Sequence, residues 1–273
     1  VKRPIAAGAR CLVTGGSSGL GRAFCLELAA RGARVLIADR DTEGARETCR
    51  LALAEGAREA HFVRCDVSSL HDVEAVAKEL ESLFGGVDVV VNNAGVGAGG
   101  VIGEAPIKDW QWVLGINLYG VIYGCHVFAP RLRAQRAGHV INVASAAGLL
   151  CTPEMGAYNV SKAGVVALSE TLASELAPVG VHVTVLCPSF FPTNIVASSR
   201  GLDDKRRAMG EKLMRRATLD ARGMARLAIA AVEEGELYAV PPGDARWLWR
   251  IKRASPQGFR GLLARAFERL RKP

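Results

Sequence analysis

Short apolar runs alternate along this chain with longer segments in which apolar residues recur every three or four positions. Residues Arg10–Thr14, 33–38, 61–64, 87–91, 140–143 and Val181–Leu186 read as strands, with 237–240 as a seventh. Val87 to Val91 is an almost unbroken β-branched run, the pattern of a strand covered on both faces. Residues 19–31, 41–55, a segment ending near Phe84, 107–136 and 158–176 carry helical spacing. Ser69 is placed to cap the third of these, with Asp72 three residues on in a capping-box arrangement. Strands alternating with helices of ~10–15 residues imply βαβ units and a parallel sheet. Right-handed crossovers then give an α/β doubly wound sheet with helices on both faces. Internal repeats and low-complexity linkers are not evident. The one break in composition falls at Pro241-Pro242-Gly243, so residues 1–243 read as a single domain and 244–273 as an extension.

A chain of 273 residues can bury a sizeable core on both faces of such a sheet. No uninterrupted apolar run approaches the roughly 20 residues that span a bilayer. The few residues before the first strand leave no room for a signal peptide. The seven cysteines are odd in number and form no CxxC pair, which favours free buried thiols in a reducing cytoplasm over disulfides or a metal site. The net charge of +8 is unevenly spread, with nine Lys/Arg against two Asp/Glu in residues 244–273. The main body is therefore almost neutral, and the high isoelectric point is no argument for nucleic-acid binding.

Candidate chemistry begins after the first strand, at Thr14-Gly15-Gly16-Ser17-Ser18-Gly19-Leu20-Gly21. Glycines let a backbone turn tightly and approach a pyrophosphate, and the helix that follows offers unpaired N–H groups and a positive dipole end. Strand, loop and helix occur in the order that a dinucleotide site requires. Asp39, at the end of the second strand, can accept hydrogen bonds from ribose hydroxyls and would repel a 2′-phosphate, which favours NAD over NADP. Arg40 beside it can pair with such a phosphate and keeps NADP open. Asp66-Val67 ends the third strand and is placed to flank an adenine. Asn92-Asn93-Ala94-Gly95 ends the fourth, where small residues let a cofactor lie close to the backbone.

Tyr158 and Lys162 lie one helical turn apart on one face. A phenol with an ordinary pKa of about 10 must come down by up to ~3 units to exchange protons near neutrality, which a neighbouring ammonium and a positive nicotinamide ring can supply. Ser145 follows the fifth strand, at the sheet edge where ligands bind in such folds. Asn117 falls in an apolar helical stretch, where its residue type alone reads as a helix-packing amide that needs partners.

Together these residues resemble the short-chain dehydrogenase/reductase family, over about residues 10–193. The resemblance rests on Thr14-Gly15-x-x-x-Gly19-x-Gly21, Asp39, Asp66, Asn92-Asn93-Ala94-Gly95, Asn117, Ser145, Tyr158-x-x-x-Lys162 and Pro188 with Thr193. It implies a Rossmann-like fold and an oxidoreductase of the alcohol–ketone branch. Tyr158 would exchange a proton with the substrate oxygen, Ser145 would hold that oxygen, and Lys162 would lower the phenol pKa and grip the nicotinamide ribose. Asn117 would hold a proton-relaying water, and Thr193 would contact the carboxamide. Ser189 departs from the glycine the family often has after Pro188. The resemblance also implies a homodimer or homotetramer.

Residues 190–216 are placed to form a substrate lid. Phe190, Phe191, Ile195, Leu202, Met209, Leu213 and Met214 point to a hydrophobic alcohol or ketone, such as a steroid, terpenoid, aromatic or fatty alcohol, or else simply pack the lid. In the extension, Phe259, Leu262, Leu263, Ala266, Phe267 and Leu270 form one helical stripe, flanked by Arg260, Arg265, Arg269 and Arg271. Trp247, Leu248, Trp249 and Ile251 precede it. This basic amphipathic segment suits peripheral contact with an anionic membrane, or docking on its own domain or a neighbouring subunit. The competing functional class is an NAD(H)-binding sensor or scaffold without useful turnover.

Overall fold

A computed structural model describes residues 2–271, apart from 194, 197, 216 and 242; the side chains of 244 and 269–271 also lie outside the described residues. Seven parallel strands form one sheet in the order β3-β2-β1-β4-β5-β6-β7. They are β1 Arg10–Thr14, β2 Arg34–Asp39, β3 Glu59–Arg64, β4 Val89–Asn92, β5 Gly138–Val143, β6 Val181–Leu186 and β7 Tyr238–Ala239. The order reverses between β1 and β4, and that switch point opens a crevice beyond the carboxyl ends of the strands. The doubly wound architecture expected from the alternating pattern is the one observed.

Eleven helices are described. On one face of the sheet lie α1 (Gly19–Ala29), α2 (Thr42–Glu55) and α9 (Ala221–Glu234), which enclose a core containing Val13, Phe24, Leu28, Ile37, Val91 and Ile229. On the other lie α3 (Leu70–Phe84), α5 (Gly120–Gln135) and α7 (Gly156–Leu176), around Leu12, Leu80, Phe128, Val140 and Leu176. The central strands β1, β2 and β4 thus feed side chains alternately to two cores, the reason for their apolar runs. Caps follow local chemistry. The Asp41 side chain accepts from Gly44 N, and Gly56 ends α2 with φ +115°. At α3 the Ser69 hydroxyl accepts from Asp72 N, but Asp72 reaches past Ser69 to the amide of Asp66 at 3.0 Å. The capping box is extended into a tie on the β3–α3 loop.

The expected helix at 107–136 is continuous but not uniform: α4 (Ile107–Leu114) runs through a π-helical turn at Gly115–Tyr119 into α5. By length and composition this 29-residue helix could cross a membrane, which the absence of uninterrupted apolar runs does not anticipate. Here Val113, Val121, Phe128 and Leu132 are buried against the rest of the chain. Among the described residues of 190–216 there is one helix, α8 (Asp204–Met214), with Phe191 and Met214 buried and Phe190 and Met209 exposed. The extension forms α10 (Asp244–Ala254) and α11 (Pro256–Arg271). Phe259 is buried and packs, with Leu248, Trp249 and Leu263, on Ala146 and Leu150 of the short helix α6 (Ala146–Leu150). Part of the expected stripe therefore docks on its own domain. Leu262 and Ala266 remain exposed, and Leu270 lies outside the described side chains.

Candidate active site

The β1–α1 loop brings backbone, not side chains, to the switch point. Gly15 has φ +65°, and a Cβ there would lie 2.8 Å from Cα of Ala94; one at Gly21 would lie 2.0 Å from the carbonyl oxygen of Gly15. Only glycine permits both approaches. Gly19 differs: its φ is +52°, yet a Cβ there would meet nothing within 4 Å, so it borders open space. Ser18 caps α1 without a side-chain cap bond, which leaves the first-turn N–H groups and the positive dipole end to a ligand. These features fit the pyrophosphate of a dinucleotide. A crevice of about 510 Å³ continues from Gly19 to Pro192, Thr193, Glu211, Met214 and Arg215. It places the glycine loop and α8 on one opening.

Around the loop, Ser17 and Asp41 donate backbone N–H bonds to separate oxygens of Asp39, at 2.9 and 3.0 Å. Each oxygen keeps acceptor capacity. Arg40 extends toward Asp66, at 3.5 Å. Asp66 also accepts from the amide and hydroxyl of Ser68; burial opposes its ionisation, but these bonds and Arg40 leave its pKa lowered. Asn93 donates to the carbonyls of Thr14 and Gly15, while Thr14 Oγ1 accepts from the amides of Asn93 and Ala94. These bonds clasp the ends of β1 and β4 together. Leu20 of the glycine-rich segment and Val67 beside Asp66, both candidates to contact the cofactor, are buried in the two cores.

The catalytic candidates gather at the ends of β4 and β5. Ser145 caps α6, its Oγ accepting from Ala147 N at 3.1 Å. It faces the buried phenol of Tyr158 and interacts with it. Lys162, also buried, donates from Nζ to the carbonyl of Val143 at 2.8 Å and lies 5.9 Å from the Tyr158 ring centre. A Cβ built on Gly95 would be 3.4 Å from both Lys162 Nζ and Asn117 Oδ1. All four side chains thus border one small region.

Two expectations change. Burial raises the Tyr158 pKa above 10, and only Ser145 opposes it. The lowering expected from Lys162 is not seen, because that ammonium is turned to Val143 and its own pKa falls to about 8 through burial. Asn117 sits in the π-helical turn, a feature frequent at functional sites. Its Oδ1 accepts from Val96 N and its Nδ2 donates to Val96 O, both at 2.8 Å, with Ser161 Oγ at 3.3 Å. One amide hydrogen goes to Val96 O and the other to Ser161 Oγ of α7, so the side chain clasps the loop after β4 to that helix, as a packing amide does.

Sequence reasoning missed several supporting groups. Glu154 has φ +62° and pairs with Arg206 of α8, while Arg200 stacks 3.9 Å over Trp112 and pairs with Asp109. These contacts tie Arg200 and α8 to the α4 and α7 ends. Lys252 donates to Leu149 O at 2.6 Å, so the extension holds α6, which starts at Ser145. Long-range pairs such as these leave no local signal in sequence. Pro188 O accepts from Ala146 N, and Thr193 Oγ1 from Ile195 N.

Comparison with known proteins points one way. The short chain dehydrogenase family model matches residues 9–203. "Probable oxidoreductase EphD" of Mycobacterium tuberculosis is 34% identical over 257 residues, covering 91% of this chain but 43% of that protein, so the chain spans less than half of this relative. "2-(R)-hydroxypropyl-CoM dehydrogenase" of Xanthobacter autotrophicus is 35% identical over 185 residues, 67% of this chain and 74% of that protein. A crystal structure of a short-chain dehydrogenase/reductase from Burkholderia phymatum in complex with NAD superposes with a TM-score of 0.85 at 35% identity, covering 93% of this chain and 95% of that one.

Proposed function

The chain belongs to the short-chain dehydrogenase family, and from that premise we propose that it is an NAD-dependent oxidoreductase interconverting a hydrophobic secondary alcohol and its ketone. The observation that carries this reading is the convergence of Ser145, Tyr158 and Asn117 with the buried Lys162 around the ends of β4 and β5. Ser145 holds the substrate oxygen, and Tyr158 takes its proton during oxidation or returns it during reduction. Nicotinamide, when bound, supplies the hydride chemistry at the substrate carbon and, oxidised, a positive charge. That charge opposes the burial that raises the Tyr158 pKa. Lys162 supplies a donor for the ribose, and Asn117 positions the loop at Val96. Gly15, Ser17, Ser18, Gly19 and Gly21 hold the pyrophosphate, Asn93, Ala94 and Gly95 line the route, and Thr193 meets the carboxamide.

Asp39 supports NAD, because its free acceptor positions suit ribose hydroxyls, and Arg40 is drawn toward Asp66. Exposed Phe190 and Met209 support an apolar substrate. Exposed Tyr119 and Val160 on the neighbouring α5 and α7 region support a homodimer or homotetramer through those helices.

Tyr158→Phe tests the assignment. Turnover with NAD and a panel of aliphatic, aromatic and steroid alcohols should fall by about 10³-fold, with NADH affinity unchanged. A biological readout that survives the substitution would transfer the chain to the class of NAD(H)-binding sensors.

A further inference from the structure

The extension has an inner and an outer face. On α10, Ala245, Leu248 and Trp249 turn to the domain, Trp249 lies 5.0 Å from the Tyr238 ring, and Lys252 holds Leu149. The outer side presents Arg246 and Arg250, both exposed and one turn apart, while exposed Arg253 stands at its border, over the Trp249 ring at 5.4 Å. Beside this cationic stripe stand Trp247 and Ile251, one turn apart and 67% and 41% exposed. On α11, Leu262 is 52% exposed, and the neighbouring Arg260 and Arg265 are exposed. Among the described residues, no carboxylate pairs with Arg246, Arg250, Arg260 or Arg265.

Helix α10 already satisfies its inner apolar face within its own domain. Folding therefore gives no reason for an outward indole and isoleucine beside the Arg246 and Arg250 guanidinium groups. Charge decides the kind of partner: residues 244–273 carry nine Lys/Arg against two Asp/Glu, and the body is near neutral. A phosphate-rich surface satisfies the arginines. A nucleic acid would do that equally, but it has no apolar layer to receive Ile251. An indole beside arginines suits the headgroup level of a bilayer, where its body enters the apolar layer and its N–H stays wet. We propose that the outer face of α10, continued by the exposed residues of α11, docks on an anionic lipid surface. The same helices grip α6 from their inner side, so docking brings the Ser145 region close to the lipid, where apolar substrates partition. The proposal does not depend on the catalytic assignment.

The test uses the full chain with phosphatidylcholine vesicles, with and without phosphatidylglycerol, at about 0.1 and 0.5 M salt. Co-sedimentation should require the anionic lipid and weaken at the higher salt. Arg246→Gln/Arg250→Gln should weaken binding about 30-fold, from two lost surface cations. Trp247→Ser should weaken it about 10-fold and abolish a blue shift of indole fluorescence, because that indole leaves the membrane interface. Circular dichroism should be unchanged in each variant, since the substituted side chains are exposed. Failure to sediment with anionic vesicles, equal binding to neutral ones, or full binding by the arginine variant would overturn the proposal. So would an oligomer, seen by sedimentation velocity, that Trp247→Ser dissociates in the absence of vesicle binding, which would assign the face to a second copy.

Discussion

Lys162 donates a hydrogen bond from Nζ to the main-chain oxygen of Val143 at 2.8 Å, and both residues are buried. Val143 ends β5, two residues before Ser145, so this bond ties the helix that carries Tyr158 to the strand that delivers the serine. The ammonium is desolvated in return, and its pKa falls from 10.5 to about 8. A group held cationic in such a place opposes folding and is retained for another reason.

Lys162→Met should therefore stabilise the chain at pH 7 while removing turnover. The folded pKa is below the unfolded one, so the unfolded chain binds more protons between pH 8 and 10.5, and stability rises with pH across that window. Below pH 8 the cost is fully present, about 3 kcal/mol at 1.36 kcal/mol per unit. Against it stands the lost bond to Val143, worth about 1 kcal/mol. Denaturant unfolding should show a net gain of about 2 kcal/mol at pH 7 that shrinks toward zero near pH 10. A variant less stable than the parent at pH 7 would show that the lysine is not held at a cost.

His139 controls the acid side. It lies at the start of β5, paired in register with His182 of β6, with ring centres 5.6 Å apart. Burial brings its pKa from 6.5 down to about 4, helped by His182 and Arg3 and opposed by Asp88. The folded chain resists the proton that the unfolded chain accepts from pH 6.5 downward, so stability is full above that value and is lost as pH falls toward 4. At pH 5 the loss from this group is about 2 kcal/mol. His139→Leu, of similar volume, should flatten the decline in unfolding free energy between pH 7 and 5 by about that amount. An unchanged acid limb would place the acid sensitivity elsewhere.

The contrast between these groups shows what the sequence made legible. Val89, Val90 and Val91 announce a two-faced strand because both cores draw on them, and Gly15 to Gly21 announce a phosphate loop because the spacing itself makes the shape. Ser145 was legible as a polar residue at a strand end. Its role as the cap of α6 was not, because Ala146-Ala147-Gly148 has too few large apolar residues to show a period. Helix α9 is marked by Asp220 and Gly235 at its ends and by Met224, Ala225, Ala228, Ile229 and Val232 at helical spacing, so it was legible although it falls outside the expected elements. The turned Lys162 and the clasp of Asn117 on Val96 depend on where a carbonyl and a loop arrive from distant segments. No local pattern encodes those arrivals.

Gly19 and Gly21 sit two residues apart, yet the structure assigns them opposite reasons for lacking a side chain, and two alanine variants separate these. By helix propensity alone Gly21→Ala would gain about 1 kcal/mol. Its new Cβ would lie 2.0 Å from the Gly15 carbonyl oxygen and 2.6 Å from Asn93 Nδ2. The first is backbone and cannot rotate away, so overlap outweighs propensity, and the loop must part from the β4 end. Unfolding free energy should fall by about 2 kcal/mol or more, as for overpacked cores, with NADH affinity lost alongside. Gly19→Ala meets nothing within 4 Å but must hold φ +52°, at a cost of roughly 1–2 kcal/mol for an L-residue. Its methyl then stands in the crevice where a pyrophosphate approaches α1. NADH affinity, followed by fluorescence titration, should drop by about 10-fold or more, beyond what the modest stability change explains. If Gly19→Ala binds NADH as the parent does, the dinucleotide does not cross α1 at that point, and the placement of the cofactor along this crevice is wrong.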